Sequence, residues 1–411
     1  MQSPAERREA DARLQPFAGR VAFYLAGLTA VVSLTLFTSM ILVTFVQTSQ
    51  PGNPLPPLDF RVFWGAARLA AAGEPLAVHD LGRLGSTFGA GAEDYLPWLY
   101  PPGFLALVTP LGTLSFAMAY LIWTGLTVIL TLWAFRPYVG GIGALWIIAA
   151  LAPATYPAIL LGQNSLLWMA GLLAALAALR DGRWLLSGVL IGCLTLKPHL
   201  GIMIPVALLA IGAWRTVFAA GATTVALMVL PTLLYGVEYW RLLGLGLAEH
   251  RERLEVWIGE MLYMMNLGFT AAYFGVPDAA AWALQWFLAL LCGIAVAVVW
   301  RSNKVGFDLK AAVLLCSMIL SAPYLWYYEA VFLVPLALFL LRGGVLSLKP
   351  LNFLILVPLW MGAVLQAFNM VIDLFDPRWL RVAYIPPLVL FCLGLCLRHA
   401  FSRPALVARA A

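Results

Sequence analysis

The chain alternates between long apolar stretches and short connectors rich in charged residues or proline. A helix of about 20 apolar residues crosses the hydrocarbon core of a bilayer, and shorter stretches can form tilted or re-entrant pieces. The pattern therefore predicts an all-α polytopic membrane protein with about 12 transmembrane helices. The predicted spans are 21–46, 104–135, 140–156, 165–179, 184–197, 200–213, 216–235, 281–300, 311–321, 330–341, 351–368 and 383–397.

Composition supports this interpretation. Of 411 residues, 63% are apolar and 11% are charged, whereas about 25% of the residues in a soluble domain are charged. No hydrophilic stretch is long enough to fold separately, which predicts one integral membrane domain over 21–397. Residues 1–20 form a basic segment before it, and residues 398–411 form a tail. The first apolar stretch is too long for a signal peptide, so we expect it to remain as a membrane anchor.

The charges are sorted along the chain. The connectors on the side of the N-terminus hold 16 of the 25 basic residues, and basic connectors mark the cytoplasmic face of a membrane. Both termini are therefore predicted to be cytoplasmic. Two long connectors, 47–103 and 236–280, are predicted to lie outside, where long loops usually carry function. The net charge of +6 is explained by this sorting, and we see no basic stripe of the kind that binds nucleic acid.

The first long outer connector begins with four prolines between positions 51 and 57. The run that follows, Asp59-Phe-Arg-Val-Phe-Trp, predicts a short helix in the membrane interface. Its aromatic residues Phe60, Phe63 and Trp64 suit the headgroup boundary. Asp59 has two interpretations, either as the cap of this helix or as a functional carboxylate.

Four more polar clusters fall at predicted outer ends of spans, near positions 95–103, 162–164, 197–199 and 323–329. An interfacial aromatic belt explains the first cluster alone, and snorkelling explains Lys197 alone. Together they predict an outer-facing polar site, because ionisable groups at membrane depth are costly and usually functional. Its predicted members are Asp59, Tyr100, Pro101, Pro102, Gln163, Asn164, Lys197, His199, Tyr324, Tyr327, Tyr328 and Glu329.

Neither a metal nor another cofactor is expected. The charge run around Glu249 and His250 predicts an amphipathic surface helix with a solvated face, and adjacent residues of a helix point in different directions. Of the histidines, only His199 is predicted to lie near the polar site. All five cysteines occur in apolar stretches, which favours packing over a disulfide framework.

Several short motifs resemble glycosyltransferase family 87, which includes mannosyltransferases that use polyprenol-phosphate-mannose. In order, they are Asp59-Phe-x-x-Phe-Trp, Gly73-Glu-Pro, Tyr100-Pro-Pro, Gly162-Gln-Asn, Lys197-Pro and Pro323-Tyr. The resemblance implies a GT-C type bundle with an outer catalytic loop after the first span. It also implies a polyprenyl-phosphate-sugar donor and a lipid or glycan acceptor, with transfer at the periplasmic face of a bacterial inner membrane. Mannose, or a similar hexose or pentose, is the expected sugar.

The same resemblance implies roles for individual residues. Asp59 takes the position of the catalytic base, and Lys197 that of the contact to the donor phosphate, with His199 and Tyr100 beside it. These roles suit the chemistry, because a leaving phosphate needs a cation rather than an acid and an attacking hydroxyl needs a base. Where many relatives have a carboxylate, this chain has Tyr327. Glu329 has two interpretations, as a second base or as an ion-pair partner of Lys197.

Two other classes of protein fit twelve spans. A secondary transporter or lipid-carrier translocase is the main alternative, but transporters usually show repeated halves and polar groups at the midplane. Here the polar clusters lie at one predicted face, and we find no convincing repeat. A noncatalytic lipid-binding scaffold would not need a carboxylate, an amide and a lysine on the same side.

Overall fold

The computed structural model describes residues 2–50, 55–56, 58–90, 95–257, 264–367 and 383–402. Prolines 51, 54 and 57 and most of the predicted tail lie outside the described residues. The described chain is helical, and its one β feature is a bridge between Met264 and Trp326. Its α-helices are α1 Pro4–Ala12, α2 Arg20–Ser49, α3 Phe60–Ala71, α4 Leu81–Ser86, α5 Pro102–Val108, α6 Phe116–Phe135, α7 Gly143–Ala150, α8 Tyr156–Leu161, α9 Ser165–Arg180, α10 Trp184–Leu194, α11 Met203–Ala210, α12 Trp214–Tyr235, α13 Glu238–Trp257, α14 Leu267–Tyr273, α15 Asp278–Arg301, α16 Phe307–Ser321, α17 Leu333–Arg342, α18 Phe353–Met361 and α19 Ile385–Ser402.

Six helical segments in the described residues are long and apolar enough to cross a membrane. They are Arg20–Ser49, Phe116–Tyr138, Gly143–Leu161, Trp214–Tyr235, Asp278–Arg301 and Ile385–Ser402. Other predicted spans coincide with shorter apolar helices such as α9 and α10. Helix α16 falls in another predicted span, and all of its residues except Lys310 are buried within the protein. The chain is thus an all-helical membrane protein. Its twelve spans and GT-C arrangement remain predictions.

The prediction of one span over 104–135 is wrong. The chain there forms α5, a 3-10 turn Thr109–Thr113 and then α6, which Ser115 caps by accepting the backbone N–H of Met118. Pro110 within the turn has no N–H to continue a helix. Gly112 packs directly on α3, where a Cβ atom would lie 2.3 Å from the carbonyl oxygen of Ala67. The turn therefore holds α3 against the bundle.

The aromatic face of α3 packs inside the protein and not at a lipid headgroup boundary, so that prediction is also wrong. Phe60, Phe63 and Trp64 are buried. Phe63 packs edge-to-face on Phe104, with 5.2 Å between ring centroids, and the Trp64 indole donates a hydrogen bond to the Leu114 carbonyl oxygen at 3.0 Å. These contacts fix the start of α3 relative to α5 and α6.

A buried charge network ties the N-terminal helix α1 to connectors predicted to be cytoplasmic. The Arg342 guanidinium contacts Asp308 at 2.8 Å and Asp11 at 2.6 Å, and it donates to the Tyr138 carbonyl oxygen. Helix α9 begins directly after the polar motif at 162–164 and ends at Arg180, which lies over the Tyr138 ring beside this network. Its 16 residues span about 24 Å at about 1.5 Å per residue. The network and the polar motifs thus lie at opposite ends of the bundle, as the charges predict. The side of the membrane remains a prediction.

Candidate active site

One cavity of about 700 Å³ collects most of the predicted polar site. It lies where the start of α3 meets the turns before α9 and after α10, the segment 323–329 and one face of α13. Residues far apart in sequence therefore converge on it. Of the twelve predicted members, ten line this cavity: Asp59, Tyr100, Pro101, Gln163, Lys197, His199, Tyr324, Tyr327, Tyr328 and Glu329.

The two remaining predicted members, Pro102 and Asn164, lie beside the cavity and do not line it. Pro102 is buried as the first residue of α5, where a missing N–H costs nothing. Asn164 is buried behind Lys197 and lines a neighbouring apolar groove instead. Both positions result from the start of a helix, because α5 begins at Pro102 and α9 begins directly after Asn164.

Asp59 does not cap α3. Its backbone is already in the helical conformation, and its side chain makes no capping hydrogen bond. Instead, the Asp59 Oδ2 atom accepts a hydrogen bond of 2.7 Å from the Gln163 side-chain amide. The carboxylate is thereby directed into the cavity, and the interpretation of Asp59 as a helix cap is wrong.

A glycine turn brings Gln163 to Asp59. Gly162 has a φ of 67°, a left-handed conformation that suits glycine, and a Cβ atom there would lie 2.7 Å from the Cβ of Phe60. The Gly162 carbonyl oxygen also accepts a hydrogen bond of 2.9 Å from the Trp123 indole. The turn therefore passes directly against the start of α3, and the next residue reaches the carboxylate.

Burial raises the pKa of the Asp59 carboxyl above its ordinary value. The hydrogen bond from Gln163 and the positive charges of Lys197 and Arg61 oppose this shift by favouring the carboxylate, but burial outweighs them. Asp59 lies between the membrane-spanning segments Arg20–Ser49 and Phe116–Tyr138 and belongs to neither. A carboxyl with a raised pKa in a cavity is a stronger proton acceptor than a solvated aspartate.

Lys197 is held inside the protein. Its Nζ atom lies 2.6 Å from Glu329 Oε1 and donates to Asn164 Oδ1 at 3.2 Å. It also lies 5.2 Å from the centre of the Tyr328 ring, a cation–π distance. Only 7% of its side chain is exposed, so the snorkelling interpretation is wrong. The ammonium group is held in the wall of the cavity.

Glu329 is the ion-pair partner of Lys197, as one of its two interpretations predicts. Its side chain is buried, and its Oε2 atom accepts a hydrogen bond of 2.8 Å from the Trp326 backbone N–H. His199 lies next to this pair, with its Nε2 atom 4.0 Å from Glu329 Oε1 and its Nδ1 atom 3.2 Å from the Tyr324 hydroxyl. The carboxylate of Glu329 is thus engaged on both oxygens, unlike that of Asp59.

Helix α13 forms a wall of the cavity, although none of its residues was predicted to belong to the site. Trp240, Leu243, Leu247 and His250 all line the cavity, and their spacing of three and four residues places them on one helix face. The His250 ring lies 6.2 Å from the Tyr324 ring, so the prediction that only His199 is near the site is wrong. The sequence does carry a signal for this wall, which is the spacing of three and four residues between Trp240, Leu243 and Leu247 ahead of the charged run.

The charged side chains near the end of α13 are solvated, as predicted. Arg253 pairs with Glu249, and Arg251 pairs with Glu255, in exposed i, i+4 contacts. Among the described residues, no three His, Cys, Asp or Glu side chains gather as a possible metal site. The cavity thus holds the Asp59 carboxylate, the ion pair of Lys197 and Glu329, and several aromatic side chains.

Comparison with known proteins identifies the family. The family model for glycosyltransferase family 87 matches residues 98–323, which is more than half of the chain. No curated protein and no solved structure matches the chain. The matched segment contains Tyr100, Gln163, Lys197 and His199 of the cavity. The chain thus belongs to glycosyltransferase family 87, which makes it a membrane glycosyltransferase.

Proposed function

We propose that the protein transfers one sugar from a polyprenyl-phosphate donor to a hydroxyl of a lipid or glycan acceptor. The observation that carries this proposal is that the Asp59 carboxylate and the Lys197 ammonium group line the same cavity. A glycosyl transfer from a phosphate needs these two groups, a base for the acceptor and a cation for the leaving group. The proposal places this cavity at the periplasmic face of a bacterial inner membrane.

Asp59 is the base in this reaction. The acceptor oxygen forms a bond to the anomeric carbon while its proton passes to Asp59, and the bond from that carbon to the phosphate oxygen breaks. The electron pair of the broken bond stays with the polyprenyl phosphate. The amide of Gln163 holds the carboxylate in place before the transfer. Attack from the side opposite the phosphate inverts the anomeric centre.

Lys197 stabilises the leaving phosphate. An ammonium group has three N–H donors, and the contacts with Glu329 and Asn164 use two of them. The third can donate to a phosphate oxygen, where charge grows as the bond breaks. Preorganised donors of this kind stabilise a transition state because they need no rearrangement.

The aromatic wall suits a sugar. Tyr100, Tyr324, Tyr327 and Tyr328 surround the cavity with rings and hydroxyl groups, which offer both apolar faces and hydrogen bonds. Mannose or a similar hexose or pentose is the proposed sugar, because family 87 includes mannosyltransferases. Tyr327 in place of a carboxylate makes this part of the cavity less acidic than in many relatives.

The direct test uses purified protein in lipid vesicles with radiolabelled sugar on a polyprenyl phosphate. We expect transfer of label to an extracted lipid or glycan acceptor, and none from a nucleotide sugar. Transfer from the nucleotide sugar alone would overturn the lipid-phosphate donor. Movement of the intact donor across the vesicle membrane without transfer would favour a translocase.

Replacing Gln163 with methionine is expected to move the acid limb of the pH–rate profile to higher pH. The lost hydrogen bond favoured the charged carboxylate, so the pKa of Asp59 rises further and the base becomes protonated at a higher pH. The measurement is kcat/KM for the donor against pH in parent and variant. A uniform loss at every pH, with the limb unmoved, would show that Gln163 does not act through Asp59.

A further inference from the structure

A second cavity of about 550 Å³ adjoins the candidate active site. We call it the apolar groove; α5, α6, α9, α10 and α12 form it, and it shares Leu196 and Lys197 with the larger cavity. Of its lining residues in the described chain, only Asn164 and Lys197 have an amide or a charged side chain, and the others are aliphatic, aromatic, glycine, proline or cysteine. A ligand that fits it is therefore apolar along its length and carries polar or anionic character at the end near Lys197.

The exposure of the lining residues changes along the groove. At its rim, Leu107, Trp133 and Leu230 are 46%, 60% and 62% exposed. At its inner end, Trp168 and Lys197 are 4% and 6% exposed. Because the rim side chains are large and apolar and belong to α5 and to the apolar helices α6 and α12, the groove opens sideways towards lipid and ends at the ammonium group.

At the buried end of the groove, the indole of Trp168 has no free N–H to offer a ligand. The Trp168 indole N–H already donates to the Leu194 carbonyl oxygen at 2.8 Å. Buried polar groups that have partners leave a surface suited to hydrocarbon. The shape thus matches a single long chain that enters from the bilayer and ends in an anion.

We propose that the apolar groove binds the isoprenoid chain of the donor, in the part next to its phosphate. This inference rests on the proposed function, which supplies a donor with such a chain. The chain is bonded directly to the phosphate, and the proposed phosphate contact, Lys197, stands at the inner end of the groove. Asp59, which the acceptor must approach, lines only the larger cavity, so the acceptor does not occupy the groove.

The groove is expected to set the position of the donor more than its affinity. A chain that leaves the bilayer gains little from the hydrophobic effect, since lipid is as apolar as a leucine-lined wall. Close packing of the first isoprene units instead orients the phosphate at Lys197. The distance between phosphate and base is thereby fixed before the acceptor arrives.

Filling the groove should penalise long-chain donors selectively. Ala174 lines it, and Ala174→Trp is expected to lower kcat/KM about tenfold for a sugar on a long polyprenyl phosphate. A donor with one isoprene unit should be affected little, because it does not reach this point. The matched control is Ala283→Trp, on an exposed face of α15. Equal effects on both donors, or none on either, would overturn the proposal.

A labelling experiment tests the groove without activity. Cys193 lines the groove and is exposed, whereas the other four cysteines are buried. We expect an apolar maleimide to label Cys193 in detergent, and polyprenyl phosphate to slow the labelling; Cys193→Ala gives the background. Inorganic phosphate should not protect, and equal protection by a diacyl phospholipid would overturn the proposal.

The two experiments separate this inference from the proposed function. Protection by polyprenyl phosphate in a protein that transfers no sugar supports the groove and contradicts the transferase proposal. Transfer from a long-chain donor without any protection of Cys193 contradicts the groove alone.

Discussion

Replacing Asp59 with asparagine is expected to lower the rate of sugar transfer by about 10²- to 10⁴-fold, the usual contribution of a general base. Asparagine keeps the size of the side chain and can still bond Gln163 after its amide rotates, but it cannot accept the proton of the acceptor. Donor binding should be unchanged, because Lys197 and the apolar groove remain intact. The measurements are kcat for transfer and the dissociation constant of the donor.

The matched control is Asp80→Asn on the same connector, 47–103. Asp80 caps α4 through the backbone N–H of Arg83, and asparagine caps a helix equally well. This variant should transfer sugar at the parent rate. If Asp59→Asn transfers sugar as fast as Asp80→Asn, Asp59 is not the base and the role belongs to Glu329 or to another group.

Loss of folding will not explain a slow Asp59→Asn variant, because the sign of the pKa shift predicts retained stability. The folded protein favours protonated Asp59, so the carboxyl stabilises the fold below its unfolded pKa and this contribution is lost as pH rises through the raised folded pKa. Near neutral pH, asparagine removes an unfavourable buried charge. We expect a melting temperature at least equal to that of the parent at neutral pH, with a smaller difference in acid.

Breaking the Lys197–Glu329 pair is expected to give the second large effect, on stability and transfer together. Both side chains are almost fully buried, and removal of one partner of such a pair costs about 3–5 kcal/mol, since the other charge is left without compensation. Glu329→Gln and Lys197→Met should each lower the melting temperature markedly. The double variant should be much more stable than the sum of the two single changes predicts.

In these three variants, the rate of sugar transfer should not follow the melting temperature. Lys197→Met removes the proposed phosphate contact, so transfer should fall about 10²- to 10³-fold in the single and double variants alike. Thermal unfolding in detergent and transfer rates in vesicles give the two readouts. Recovery of transfer along with stability in the double variant would mean that Lys197 acts only in folding.

The amino-acid sequence by itself determined that this is a helical membrane protein and where its polar motifs fall. These properties are local: the length of an apolar run sets whether a helix can cross a bilayer, and charges in connectors mark their sides. Most of the six long spans and ten of the residues that line the cavity follow from such signals. Asp59, Gln163 and Lys197 stand out for the same reason, because each is a polar residue at the end of an apolar stretch.

Only the tertiary structure decided how these residues meet. The packing of α3 on the turn Thr109–Thr113 buries an aromatic face that the sequence pattern alone assigns equally well to lipid. The close approach of Gly162 to Phe60 directs Asp59 to Gln163 and away from a capping role. His250 reaches the cavity because α13 folds over Tyr324, and the apolar groove exists only between helices distant in sequence. Each of these depends on contacts across the chain, which local periodicity does not encode.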